Sequence, residues 1–449
     1  MNRQQRRTAE KKLRKGQSIA LEDVLSSAIS LHQEGRVAEA EGNYRAILQA
    51  FPQQPDAWHY LGLLLHQQGQ SVEGIELIQR AIEILPAYTD AHINLGNVYK
   101  EIGDLDKAVV CYRKVIELAP DHGPALSNLG VALQNQGEYE QAVVVLRKAT
   151  ELAPGNHYFF QNLGNAYRKQ GCFKQAAEAF RHSIALQPYQ ADAYKNLWRT
   201  LYVAQEFEEA AEVLRQWLKF DPENPVAQHT LAAYTGGEDV PDRASNDYVQ
   251  QIFDNFAGSF DQVLESLDYR APGLVSGAVG KLHRKAAANL IVLDAGCGTG
   301  LCGPLLKPYS ATLVGVDLSP KMLAKAVGRQ VYKDLVEAEL VAYIEQQTGV
   351  FDLIVSADTL VYFGELRPFL RAAKSALLVG GHLVFTLEKG ECGLDYKLNL
   401  HGRYSHAREY VETVVVEAGL RVCGIEEAIL RKEAGEPVLG LLVTAELVS

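Results

Sequence analysis

Six prolines stand 34 residues apart, at Pro52, Pro86, Pro120, Pro154, Pro188 and Pro222. In the same register a small residue recurs at Ala40, Gly74, Ala108, Ala142, Ala176 and Ala210. No other feature constrains the fold as strongly. A period of that length describes one supersecondary unit that cannot bury its apolar stripe alone, so the units must stack. In the third unit His92, Leu95, Gly96 and Tyr99 fall at i, i+3, i+4 and i+7, which is one face of a helix. Gly96 lets that helix press close against a second one, where Ala108 takes the facing position. The proline follows the end of the second helix, where its missing N–H costs little.

The stretches "WHYLGLLL", "HINLGNVY", "LSNLGVAL", "FQNLGNAY" and "YKNLWRTL", with a turn glycine as in "KEIGDLDKA" and "RKQGCFKQA", resemble the tetratricopeptide repeat. Six units fit without insertion over residues 21–224: 21–54, 55–88, 89–122, 123–156, 157–190 and 191–224. The end units depart from the pattern, as capping requires. Unit one has Ala28 where later units carry glycine; unit six has Trp198 there and Gln205 for the turn glycine. "NPVAQHTLAAYTG" reads as one further capping helix, so residues 225–240 form cap and linker. Asn94, Asn128, Asn162 and Asn196 also recur every 34 residues, about 200° around the helix from the His92 position. That row is expected to line a groove and offer a donor and an acceptor per step to extended peptide, or else to serve solubility alone. It resembles the superhelical repeats of the O-linked N-acetylglucosamine transferases, which implies a protein or peptide partner.

The period stops at the polar stretch "TGGEDVPDRAS", which sets a boundary at about residue 240 and a second domain over 241–449. There "NDYVQQIFDNFAGSFDQVL" places Phe253, Phe256 and Phe260 at helical spacing, as an anchor, a cover over a ligand, or both. Strand-like "NLIVLDAG", "ATLVGVDL", "DLVEAEL", "FDLIVSADT" and "GHLVFTLEK" then alternate with helical "SPKMLAKAVGR", "VAYIEQQ" and "LRPFLRAAKSALL". This predicts a doubly wound, Rossmann-like α/β sheet. The last two of its seven strands, "RVCGIEEAIL" and "EPVLGLLVTAEL", are joined by only "RKEAGE" and must form an antiparallel hairpin.

Between the first strand and its helix stands "DAGCGTG": Asp294, Gly296, Cys297, Gly298 and Gly300. A nicotinamide-binding turn has G-x-G-x-x-G and an all-parallel sheet. D-x-G-x-G-x-G ahead of a terminal hairpin resembles instead the class I S-adenosylmethionine-dependent methyltransferases. The glycines let the chain pass close under a ligand, and Asp317, ending the second strand, is positioned for ribose hydroxyls. Over about residues 246–448, "YVQQIFDNFAGSFDQVLESLDYRAP", "FDLIVSADTLVYFGEL" and "GRYSHAREYV" resemble bacterial methyltransferases that carry tetratricopeptide repeats. That resemblance implies S-adenosyl-L-methionine as cofactor. It implies Tyr269 and Arg270 near the methionyl end, Leu318 and Met322 flanking the adenine, Glu339 and Leu340 at its amine, and Ala357 and Asp358 beside the transferring methyl. Most relatives have Asp where Glu339 stands, and a helix-capping carboxylate is the other reading of Asp358.

A sulfonium already activates its methyl group, so the protein need only align an acceptor and, where required, take its proton. Candidate bases are His401, Tyr404, His406 and Tyr362, near the sheet's carboxyl edge where substrates arrive; structural histidines are the alternative. No N/D-P-P-Y/F/W element points to nucleobase amines. Cys297 inside the turn reads as a small filler. Composition adds limits. The net charge is −11, yet seven Lys and Arg against one Glu fill the first sixteen residues. The body is therefore a poor binder of DNA, while a basic tail over residues 1–20 suits RNA or an anionic surface, or is simply solvated. No apolar run reaches the roughly 18 residues of a membrane span. Six scattered cysteines without a CxxC pair indicate free thiols and a cytoplasmic protein. The expectation is a methyltransferase whose repeats recruit a protein. Two alternatives stay open: a small-molecule methyltransferase whose repeats serve assembly, and a scaffold that only senses the cofactor.

Overall fold

The computed structural model describes residues 21–236, 240–283, 287–433 and 435–448. The basic tail lies outside the described residues. The chain divides into two compact units, Met1–Ala210 and Ala211–Ser449.

The repeat helices run in the expected register: α1 (21–33), α2 (Val37–Ala50), α3 (Pro55–Gln67), α4 (Ser71–Ile84), α5 (Thr89–Glu101), α6 (Leu105–Leu118), α7 (Gly123–Gln136), α8 (Tyr139–Leu152), α9 (His157–Lys169), α10 (Phe173–Leu186), α11 (Ala191–Val203) and α12 (Phe207–Phe220). In units two to five the glycine of the first helix is there because its partner leaves no room for a side chain. A Cβ on Gly62 would fall 2.6 Å from the Gly74 carbonyl, on Gly96 2.7 Å from the Tyr112 ring, and on Gly130 2.4 Å from Leu146. The small residues of the partner helices, Gly74, Ala108 and Ala142, are buried.

Between paired helices the turn residue adopts φ of +75° at Gly35 and +83° to +85° at Gly69, Gly103, Gly137 and Gly171. Unit six places Gln205 there at φ +62°. An L-residue in the left-handed region costs about 1–2 kcal/mol. Gln205→Gly is therefore expected to stabilise the array by about 1 kcal/mol, read as a rise in the array's thermal midpoint; a fall would show that the glutamine side chain compensates its backbone.

The second unit contains α13 (Pro225–Thr235), α14 (Asn246–Phe256), α15 (Phe260–Ser266) and α16 (Ala271–Leu282). An alternating series follows: β1 (Leu290–Ala295), α17 (Gly303–Leu306), β2 (Ser310–Asp317), α18 (Pro320–Val327), β3 (Asp334–Glu337), α19 (Leu340–Glu345), β4 (Phe351–Ser356), α20 (Arg367–Ala376) and β5 (Leu377–Lys389). It closes with β6 (Tyr396–Leu398), β7 (Tyr404–His406), α21 (Arg408–Glu417), β8 (Arg421–Glu433) and β9 (Glu436–Glu446). The order is β3-β2-β1-β4-β5, with β9 antiparallel on β5 and β8 on β9. This is the expected doubly wound sheet with its terminal hairpin. Alternation along the strands fills both faces: Leu293, Phe385 and Val443 pack under α19, α20 and α21, whereas Val292, Val384 and Leu442 pack against α16.

Two elements differ from expectation. The loop after β5 contains the short hairpin β6–β7, so the sheet has nine strands among the described residues where seven were expected. β9 occupies one edge of β5 as far as Glu388, so β7, pairing at Glu388 and Lys389, continues the edge that β4 leaves after Ser356↔Phe385. Also, α13 belongs to the second unit, upstream of the boundary expected near residue 240. Its Ala233 packs with Leu398 and Tyr404 of the small hairpin. His229 of α13 is buried, places Nε2 2.9 Å from the Gly402 carbonyl, and lays its ring 4.1 Å from that of Tyr248. Gly402 itself takes φ +87°, and a Cβ on it would fall 2.6 Å from the Tyr248 hydroxyl.

Candidate functional site

The glycine turn leaves β1 at the carboxyl edge of the sheet, where a doubly wound fold binds its ligands. Its three glycines are required for three different reasons. Gly296 (φ +77°) has no room, since a Cβ would fall 2.3 Å from Thr359. Gly300 (φ +81°) is backed by Tyr332, 2.9 Å from such a Cβ. Gly298 (φ +55°) faces open space, and the first atom across it is a Phe260 ring carbon at 4.0 Å. Cys297 is buried under β2, its Sγ 2.9 Å from where a Cβ on Gly315 would lie, which fits a small filler.

Asp294 is buried, and its carboxylate accepts the Tyr332 hydroxyl at 2.6 Å. Burial raises its pKa to about 7, opposed by that hydrogen bond and assisted by the nearby Asp317. Asp317 ends β2 and accepts the backbone N–H groups of Gly298 (2.8 Å) and Ser319 (2.9 Å). Burial raises its pKa, and those N–H donors hold the rise in check. Leu318 is half-buried and Met322 fully buried at the start of α18.

Glu339 caps α19 by accepting the N–H groups of Val341 (3.1 Å) and Ala342 (2.8 Å), and it pairs with Arg243. Burial alone would raise its pKa, but these donors leave it below the ordinary carboxylate range. Leu340 is buried behind it. Glu339, Arg243, Asp242 and Phe363 line a groove of about 280 Å³.

α14 and α15 cover the turn through the three phenylalanines, whose rings stand edge to face: Phe253–Phe260 at 6.1 Å and Phe256–Phe260 at 5.3 Å. Two carboxylates fasten this cover. Asp254 accepts the Ser319 hydroxyl, and Asp261 accepts both the Thr299 hydroxyl and the Arg329 guanidinium, each at 2.5 Å.

Beyond β4 the chain enters a buried ionic cluster that sequence reasoning missed. Asp358 sits at φ +58°, a strained backbone of the kind that collects at functional sites. Its N–H donates to Thr386 Oγ1 at 2.8 Å, and both carboxylate oxygens accept Arg431 Nη1 at 3.0 and 2.8 Å. Arg431 also donates to Glu388 and, at 2.7 Å, to Glu433. Arg403 donates to Glu388 at 2.6 Å and Glu433 at 2.5 Å. Side-chain exposure rises outward from 3% at Arg431 and 6% at Glu388, through 14% at Asp358 and 20% at Arg403, to 34% at Glu433. Burial raises the pKa of Asp358, with the two arginines opposing. For Glu388 and Glu433 the arginines outweigh burial and lower it.

Tyr269 joins this neighbourhood: burial and the charge of Asp358 push its hydroxyl well above the ordinary pKa. Ala357, half-buried, ends the same strand-to-loop passage. Arg270 does not join it, being exposed and paired with Asp268 at 2.5 Å. Burial pushes Tyr362 up to about 12, with Arg403 opposing, so it remains a phenol at neutral pH.

The other three candidate bases separate. Tyr404 is fully buried in β7, and its hydroxyl donates to the Pro241 carbonyl at 2.6 Å. His406 is fully buried, holds Nε2 3.0 Å from the Gly364 carbonyl, and is pushed down to about 4 by burial. Both are core residues of a strand, which removes them as bases for an external substrate. His401 alone stands in the cluster, its Nδ1 accepting the Arg403 N–H at 3.3 Å and its Nε2 3.5 Å from Glu388.

The asparagine row also proves busier than an open ladder. Asn94 Nδ2 meets His59 Nε2 at 2.9 Å, Asn128 donates to Asn97 at 3.2 Å, and Asn162 donates to Ser127 at 2.9 Å. Each amide nitrogen thus reaches the preceding first helix, so these donors stitch repeat to repeat; Asn196 is half-buried.

Residues 293–385 match the family model described as a methyltransferase domain. Tetratricopeptide repeat models match residues 25–89, 89–122, 111–144 and 167–234, and a TPR repeat model matches 135–171. The chain is 32% identical over 107 residues to the 18S rRNA (guanine-N(7))-methyltransferase of Bos taurus, covering 21% of this chain and 38% of that one. It is 26% identical over 162 residues to the ubiquinone biosynthesis O-methyltransferase of Ralstonia nicotianae, covering 33% and 68%. Among solved structures, pilF of Pseudomonas aeruginosa aligns at 17% identity over 48% of this chain and 99% of its own, with a TM-score of 0.42. The chain thus spans about two fifths of the bovine relative's length.

Proposed function

We propose that this chain, in which tetratricopeptide repeats precede a methyltransferase domain, is an S-adenosyl-L-methionine-dependent methyltransferase whose repeat array recruits a protein partner. The observation that carries the reading is the open space before Gly298, backed by Asp317 and roofed by Phe260. Gly298 is held to glycine by its φ of +55°, and with its N–H tied to Asp317 the turn leaves only backbone beneath the Phe260 ring, which suits a ligand passing close over it. The residues present fit the cofactor. Gly298 would lie under it, Asp317 would accept its ribose hydroxyls, Met322 and Leu340 would wall its adenine, and Tyr269 would meet its methionyl end. When bound, the cofactor supplies a methyl group on a sulfonium.

The chain's own residues supply the rest. α14 and α15 exclude water from above the turn, and the Asp254 and Asp261 contacts must break for the ligand to exchange. Asp358 and Arg431 fix the wall where the acceptor arrives. The side-chain oxygens of the asparagine row remain as acceptors for a peptide N–H. The free thiols fit a reducing cytoplasm. Among the described residues, no helix is long and apolar enough to cross a membrane.

Thermal unfolding of the full chain tests the reading. S-adenosylhomocysteine or S-adenosylmethionine at about 100 times its Kd is expected to stabilise the C-terminal unit by roughly 2.7 kcal/mol, and NAD to leave it unchanged. An unmoved transition with both sulfur ligands would overturn the assignment.

A further inference from the structure

The two ends of the repeat array differ in what their polar side chains bond to, and this inference rests on the partner-recruiting reading above. On α9, Gln161, Asn165 and Arg168 fall at i, i+4 and i+7, one face of the helix. On α11, Asp192, Lys195, Asn196 and Arg199 fall at i, i+3, i+4 and i+7. Gln161, Asn165, Arg168, Lys195 and Asn196 are all half-buried. Among the described residues, none of these five side chains has a hydrogen-bond partner. Arg168 is the sharpest case, because its Nε is shut away from solvent and still unmet. A buried donor without an acceptor is costly, the more so on a charged group.

The charges are one-sided. Arg168, Lys195 and Arg199 share these faces, and Asp192 is the only carboxylate that α9 and α11 contain. Burial lowers the pKa of Arg168, and the charge of Arg199 adds to the effect. Burial lowers that of Lys195 too, with Arg199 assisting and Asp192 opposing. Units two and three show the reverse. There Asp56 accepts the Tyr88 hydroxyl, and buried His59 stands 3.1 Å from that hydroxyl and 2.9 Å from the Asn94 amide. Asp56 and Asp90 make that end acidic. Its polar groups satisfy one another, whereas those of α9 and α11 await a partner.

We propose that the face shared by α9 and α11 binds an extended acidic stretch of the protein partner. Its Asp or Glu side chains are taken by Arg168 and Lys195, and its backbone by Gln161, Asn165 and Asn196. A guanidinium and an ammonium withdrawn from solvent suit carboxylates, and primary amides offer extended backbone both a donor and an acceptor. A phosphate chain would meet the cations but leave the amide oxygens unmet. Beyond these helices it would also run over a protein of net charge −11.

Fluorescence anisotropy with the full chain tests this, using dodecapeptides blocked at both ends so that only side chains carry charge. One alternates Glu with Gly, one Gln with Gly and one Lys with Gly; a single-stranded oligouridylate is the nucleic-acid probe. The Glu peptide is expected to bind at least tenfold tighter than the other two peptides and to weaken as salt is added. Arg168→Gln combined with Lys195→Gln should weaken it at least tenfold. Arg168→Lys should keep most of the affinity, and Lys114→Gln on α6 should leave it unchanged. The thermal midpoint of the double variant should hold or rise, because an unmet charge has been removed; this separates lost binding from lost fold. Gln or Lys peptide binding as tightly as Glu would overturn the acidic assignment and leave the recruiting reading standing. Glu-peptide binding unchanged in the double variant would move the site elsewhere on the chain and overturn the proposal. Oligouridylate binding tighter than the Glu peptide's, and lost in the double variant, would overturn it in favour of RNA. Failure of all three peptides would take the recruiting reading down with it.

Discussion

Replacing Arg431 with methionine is expected to cost the C-terminal unit about 3–5 kcal/mol, because removing one member of a buried ionic group leaves the others uncompensated. Arg431 is the innermost member of its cluster and the only one that touches Asp358, Glu388 and Glu433 together. Without it, three carboxylates face one another with Arg403 alone between two of them. The loss should depend on pH in a defined sense. In the native protein Glu388 and Glu433 have lowered pKa values, so they contribute stability at neutral pH that fades as pH falls through those values. In the variant the same groups repel, their folded pKa values rise above the unfolded ones, and protonation favours the folded state. The difference between the two proteins should therefore be largest near pH 8 and narrow towards pH 5. Scanning calorimetry of both full-length chains at the two pH values reads it out. An equal loss at both would mean that Arg431 acts by filling volume rather than by holding charge.

Gly298→Val should abolish the stabilisation by S-adenosylhomocysteine, roughly 2.7 kcal/mol at about 100 times its Kd, while the ligand-free domain loses less than in Gly296→Val. The two glycines sit two residues apart in one motif, yet their surroundings are opposite. A side chain on Gly296 collides with Thr359 and must disturb the fold, whereas one on Gly298 enters the space proposed for the cofactor. Both sites also carry the left-handed backbone penalty, about 1–2 kcal/mol. Comparing the variants thus separates folding from binding. A Gly298→Val protein that still gains full stability from the ligand would remove the turn from the binding site.

The repeat array was legible because its signal is local: a helix face, a small residue and a turn glycine recur within every 34 residues. The glycine turn and Asp317 were legible for a similar reason, since a strand end and the turn it feeds are neighbours in the chain. The ionic cluster was not. Asp358, Glu388, Arg403, Arg431 and Glu433 come from four separate stretches, and only the pairing of β5 with β4, β7 and β9, and of β9 with β8, brings them together. Arg431 and Glu433 were read as part of a connector between strands, because charged residues at a strand end look like a turn. β8 in fact runs through Glu433. The register shifts between Ile429 and Arg431, so the adjacent Leu430 and Arg431 are both buried and the alternation that would have flagged the charge is broken. Tyr404 and His406 were misplaced for the converse reason: three-residue strands carry too little periodicity to announce themselves, and in β7 even adjacent residues are buried.

The His229–Gly402 contact has a practical consequence for exchanging parts between such proteins. A recombinant that inherits its catalytic half from residue 241 onward leaves behind α13, and with it the support beneath the loop that holds His401 and Arg403. Such a chimera should fold around its glycine turn and take up cofactor, yet present a slack acceptor face. A splice in the connection between α12 and α13, residues 221–224, would leave both helices whole and transplant the catalytic half together with the helix it leans on.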